Sequence, residues 1–174
     1  YHLLVGLPPW SSHHVRVENL PPPHSHYARH KARVIVDEQL QKEPENIELL
    51  KLQGDLMLES GMEGQALMVY EKALALMPKE ADTANNLAWL FLTAKNQQLR
   101  DHVRALELAR LAAGQSSSGY ILDTLAVALW ANGKVEEAVR AEQQAAINDP
   151  DNQAYYHSQE VKMRSNAPWE GKSL

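Results

Sequence analysis

The chain has 174 residues, no cysteine, and 17 Lys+Arg against 22 Asp+Glu, a formal net charge of −5. That length suits one domain or a short repeat array, burying roughly two-thirds of its unfolded surface. The acidic balance argues against a nucleic-acid partner, the missing cysteines exclude disulfides, thiolate catalysis and thiolate-held metals, and a single Phe argues against an aromatic-rich β-sandwich.

Residues 1–24 read as an extended Pro/His-rich segment. Five of the nine prolines (Pro8, Pro9, Pro21, Pro22, Pro23) fall there, each fixing φ and lacking an N–H donor. The apolar opening, Tyr1 to Leu7, fits the end of an anchor or signal segment, or the edge of a domain. No run of 18 apolar residues is present, so no membrane span is expected in this sequence. The compartment stays open between cytoplasm and periplasm, with a tether through upstream sequence as one option. From Ser25 the composition shifts to Ala, Leu, Glu, Gln and Lys, the strong helix formers. Tyr27, Ala28, Ala32, Ile35, Val36 and Leu40 recur at helical spacing before Pro44, so residues 25–43 are expected to form an N-terminal capping helix.

An internal repeat follows. From Gly54, steps of twelve, seven and five residues reach Ala66, Ala73 and Pro78; from Ala126 the same steps reach Ala138, Ala145 and Pro150. A third copy between them runs through Ala88, Ala105, Ala112 and Ser117, with five extra residues near Lys95–Asp101. Each copy reads as two short amphipathic helices, A and B, with Ser60-Gly61 and Asn132-Gly133 as turns. Small residues at matching places allow helix axes to approach toward the near end of the usual 8–10 Å range. Glycine inside a helix costs about 1 kcal/mol relative to alanine, so Gly54 requires a packing reason. The copies are expected at residues 47–80, 81–118 and 119–152, followed by a C-terminal capping helix at 153–164 and a mobile tail at 165–174.

These residues resemble the tetratricopeptide repeat, a 34-residue helix–turn–helix with a small residue in helix A, two small residues and an aromatic in helix B, and a closing proline. Leu50 to Pro78 matches with Tyr70 at the aromatic place; in Leu122 to Pro150 Glu142 stands there, and in the middle copy Ala109. The resemblance covers about residues 47–152. It implies an all-α fold, a right-handed superhelical array of antiparallel helix pairs (an α-solenoid), whose helix A residues line a concave groove for a peptide or protein partner. By that geometry the groove includes Lys51, Asp55 and Glu59 from the first copy, Asn85, Asn86 and Trp89 from the second, and Tyr120, Asp123 and Trp130 from the third. The family's carboxylate clamp for acidic chaperone tails is met by Lys51 and Asn86 but not by Asp55, Tyr120 or Thr124, which argues against that ligand. An acidic and aromatic groove favours a partner bearing Lys or Arg.

No enzyme is expected. Of eight histidines, six fall in the first 30 residues. His26 and His30 share a helical face at a usable ligand spacing, but the H-E-x-x-H base is missing and Lys31 and Arg33 lie nearby, so a solvated surface is favoured over a zinc or nickel site. Ser116-Ser117-Ser118 lacks the G-x-S-x-G elbow and suits helix capping through Ser117 or Ser118. No cofactor is implied. The expected function is a non-enzymatic interaction or scaffold module, similar to bacterial repeat proteins, with homo-oligomerisation through residues 1–24 as a further expectation. The alternatives are a docking domain of a larger enzyme and a His-rich metal-responsive module.

Overall fold

The computed structural model describes residues 22–165 and 167–171. All its regular structure is helical: α1 (Pro22–Lys42), α2 (Ile47–Glu59), α3 (Glu63–Leu76), α4 (Ala81–Thr93), α5 (His102–Gln115), α6 (Gly119–Ala131), α7 (Val135–Asn148) and α8 (Gln153–Arg164), with short 3-10 turns at Gln97–Leu99 and Pro150–Asn152. The extended segment expected up to residue 24 ends earlier, because Pro22 and Pro23 begin α1. Proline is tolerated in a first helical turn, where the missing N–H has no intrahelical partner anyway. The rest of the Pro-rich stretch lies outside the described residues.

The helices fall into two compact units that divide between Pro78 and Lys79. In the first, α1 packs on α2 and α2 on α3. In the second, α4 to α8 each pack on the next, and α4 also packs on α6, so that the A helices of successive hairpins touch. The insertion in the middle copy falls in the connection between α4 and α5, which contains the 3-10 turn Gln97–Leu99.

Local sequence explains the hairpins. Gly61 and Gly133 both have φ +74°, the left-handed conformation that L side chains resist. Each closes the same hydrogen-bond pair at the end of helix A: Gly61 N to Leu58 O and Met62 N to Met57 O, then Gly133 N to Trp130 O and Lys134 N to Leu129 O. Asn46, Glu80 and Asp101 cap the starts of α2, α4 and α5 by accepting from Leu49 N, Thr83 N and Arg104 N. At α6 the serine expectation is corrected. Ser118 holds the capping position but makes no side-chain cap; the Ser116 hydroxyl instead accepts from Ser118 N at 3.3 Å and pairs with the Ser118 hydroxyl at 2.9 Å.

The seams are built as the spacing implies. Ala66, Ala73, Ala88, Ala105, Ala112, Ala126, Ala138 and Ala145 are all fully buried. In the first unit the Tyr70 ring packs against Gly54, so a Cβ there would fall less than 3.0 Å from three ring carbons. In the second unit a Cβ on Gly119 would fall 2.5 Å from Asp149 Cβ and 2.7 Å from the Tyr156 hydroxyl, which itself donates to Asp149 at 2.7 Å. Gly119→Ala is therefore expected to destabilise the second unit by about 1–3 kcal/mol despite alanine's better helix propensity. Urea unfolding checks this, and a variant as stable as the parent would show that α8 retreats freely.

The tail departs from expectation. Residues 167–171 are packed rather than loose: Trp130 Nε1 donates to Ala167 O at 2.8 Å, Arg100 donates to Gly171 O at 3.1 Å, and the Trp130 and Trp169 rings sit 5.4 Å apart at 57°.

Candidate partner-binding surface

In the first unit Lys51, Asp55 and Glu59 recur every four residues along one face of α2. Lys51 is largely buried and its ammonium reaches Glu48 at 3.2 Å. Asp55 accepts the Tyr70 hydroxyl, which fixes that ring over Gly54. Glu59 is exposed at the helix end.

In the second unit the expected residues separate into two sets. Asn86, Trp89 and Tyr120 are half-buried, and Tyr120 of α6 donates to Asp82 of α4 at 2.5 Å. Burial and that hydrogen bond push the Tyr120 hydroxyl well above its ordinary pKa, so it stays a proton donor and ties two A helices together. Asp82, Asn86 and Trp89, spaced by four and three, share one face of α4. The other three residues are enclosed. Asn85 is fully buried with neither amide atom hydrogen-bonded, Asp123 is fully buried, and Trp130 is covered by the C-terminal segment.

Asp123 belongs to a buried acid cluster. Its Oδ2 accepts the Tyr155 hydroxyl of α8 at 3.3 Å, and Glu142 of α7, also fully buried, is its second neighbour. No fixed N–H or O–H donor reaches Asp123 Oδ1 or either Glu142 oxygen. Two carboxyls enclosed side by side are favoured when one of them keeps its proton, and the direction of the shifts puts that proton on Glu142. Burial first, then the Asp123 charge, raises the Glu142 pKa far above the usual carboxylate range; burial also raises Asp123, against the lowering effect of hydrogen bonds from Glu142 and Tyr155. Sequence reasoning placed Glu142 at the repeat's aromatic position, and that register was the available signal that a carboxyl would be driven into the core.

His26 and His30 both fall on α1, while His2, His13 and His14 lie outside the described residues. Among the described residues no group of three His, Asp or Glu side chains could hold a metal ion, and no helix is long and apolar enough to cross a membrane.

Helix hairpins with alanine-lined seams, left-handed turn glycines and helix A stacked on helix A define the tetratricopeptide-type α-solenoid. Solved structures carry the same fold. A MamA double mutant (RS-1 ArsTM) superposes with a TM-score of 0.67 at 20% identity, over 79% of this chain and 74% of that one. MamA from Desulfovibrio magneticus RS-1, from residue 41 to its end, gives 0.60 at 18% identity, over 79% and 85%. A further MamA crystal structure gives 0.61 at 14% identity, over 82% and 92%. No protein-family description matches the chain, and no curated protein does.

Proposed function

We propose that the chain is a non-catalytic interaction module that holds a peptide or protein partner on the A-helix faces. The observation that carries this reading is the polar and aromatic row on α4, where Asp82, Asn86 and Trp89 stand beside Tyr120 of α6. An aromatic with a polar edge, flanked by an amide and a carboxylate, suits a segment bearing Lys or Arg next to an apolar side chain. In the first unit Lys51, Asp55 and Glu59 supply a corresponding face. The fold shared with MamA supports a scaffold role, since helical repeats present such faces in series. Asn85 and Asp123 contribute by holding the helices rather than by touching a partner.

Affinity capture from a bacterial lysate tests the reading. The partner held by the parent chain is expected to be lost about tenfold or more on Trp89→Ala and Asn86→Ala, with unchanged circular dichroism and melting. Equal capture by the folded variants would place the partner elsewhere.

A further inference from the structure

The C-terminal segment is bound as a ligand would be bound. Ala167 O accepts the Trp130 indole N–H at 2.8 Å, and Gly171 O and Glu170 O accept from the Arg100 guanidinium at 3.1 and 3.5 Å. Arg100 is itself held in place by donating from Nε to Ala94 O at 2.8 Å. Between these anchors the Trp169 ring packs on Trp130. The protein side chains thus read main-chain carbonyls at both ends of the segment and one large aromatic in the middle. This pattern demands a tryptophan and, two residues on, a glycine: Gly171 has φ +69°, and a Cβ there would collide with Arg100 Nη1.

The fit is incomplete in a specific way. The Trp169 indole N–H is buried without a hydrogen-bond partner, and so is Nε2 of His102. Both residues line a cavity of about 500 Å³, which Gln97 and Val103 also border. Leaving a buried donor unmade costs about 1–3 kcal/mol, and a cavity of that size, with polar and apolar walls, leaves room for more ligand than the tail supplies. What keeps the tail in place is its tether, because a single residue separates Ala167 from the end of α8 at Ser165, and so short a linker gives a high local concentration.

We propose that this face is a recognition site for a segment of another polypeptide that carries a tryptophan and a glycine two residues apart, with the chain's own Ala167–Gly171 segment as its built-in competitor. It lies at the turn end of the second unit's hairpins and is independent of the α4 row proposed above. A foreign segment that gives the indole N–H an acceptor and fills the space beside His102 gains what the tail forgoes.

The test uses the full chain and a fluorescein-labelled peptide with the sequence of residues 166–174, read by anisotropy. Trp169→Ala frees the site, so the peptide is expected to bind that variant about tenfold more tightly than the parent, whose open fraction is small. Adding Trp130→Phe keeps a ring but removes the N–H, and is expected to weaken binding about fivefold. Should Trp169→Ala fail to fold, Pro168→Gly serves instead: it raises the tail's ordering cost, and the peptide should again bind more tightly than to the parent. No binding to the freed site, equal affinity for parent and variant, or indifference to Trp130→Phe overturns the proposal. Light scattering separates one further outcome. A parent dimer that Trp169→Ala dissociates would mean that tails are exchanged between copies, and the foreign partner would be excluded.

Discussion

Glu142→Gln is expected to stabilise the protein by about 3 kcal/mol at pH 8 and by less than about 1 kcal/mol at pH 5. Glu142 is fully buried beside Asp123, and its pKa is raised by burial and by the Asp123 charge. A carboxyl whose pKa is raised on folding binds a proton more tightly in the folded than in the unfolded state. Its contribution is therefore fully present below the unfolded value of 4.5 and declines as pH rises, by up to about 1.4 kcal/mol per unit. Asp123, raised mainly by burial, acts in the same direction from a lower starting point. Glutamine keeps the shape and keeps an N–H to donate to Asp123, but needs no proton. Urea unfolding of parent and variant from pH 5 to pH 8 measures the effect, and taking the difference at each pH cancels exposed pairs such as Arg110 with Glu137. A difference that stays flat with pH, or a variant less stable at pH 8, would show that the pair holds no extra proton.

That prediction was half legible in the sequence. Repeat register put Glu142 where the first copy has Tyr70, and helix-A spacing put Asp123 one turn before Val127; what register could not convey was that α8 would lay Tyr155 over Asp123 and close the pocket. The alanine seams, both turn glycines and the insertion between α4 and α5 followed from spacing, because close helix approach and left-handed turns each admit few residue types. The groove residues followed less well. A 3.6-residue period assigns a face but not a depth, so Asn85, at the edge of the apolar stripe of α4, could not be told from its neighbour Asn86. The tail was missed for another reason. Its holding contacts are Trp130 to Ala167 and Arg100 to Gly171, 37 and 71 residues apart, and the acceptors are main-chain carbonyls that carry no residue signature. Pro168 and Gly171 read as loop punctuation, which they are, but a loop with a tryptophan between two such residues can also be a strap.

Gly54→Ala offers the sharpest test of the seam, because two effects of known sign oppose each other there. Alanine favours a helix interior over glycine by about 1 kcal/mol, and on an open surface the substitution would stabilise. Here the new methyl would enter the Tyr70 ring, which is fully buried and has its hydroxyl tied to Asp55. The ring cannot swing away without giving up that hydrogen bond and its packing, and the α2–α3 hairpin must open instead. Overpacking of this kind costs about 1–3 kcal/mol, and a strained buried hydrogen bond adds to it. A net loss of about 2 kcal/mol is expected in the first unit, read by urea unfolding. The double variant Gly54→Ala with Tyr70→Leu isolates the cause. Tyr70→Leu alone loses ring burial and the Asp55 contact, but once the ring is gone the added methyl meets little, so the two changes should cost less together than the sum of each alone by about 1–2 kcal/mol. If the two losses simply add, the glycine is there for some reason other than the tyrosine, and the account of why small residues recur along these helices loses its best-resolved case.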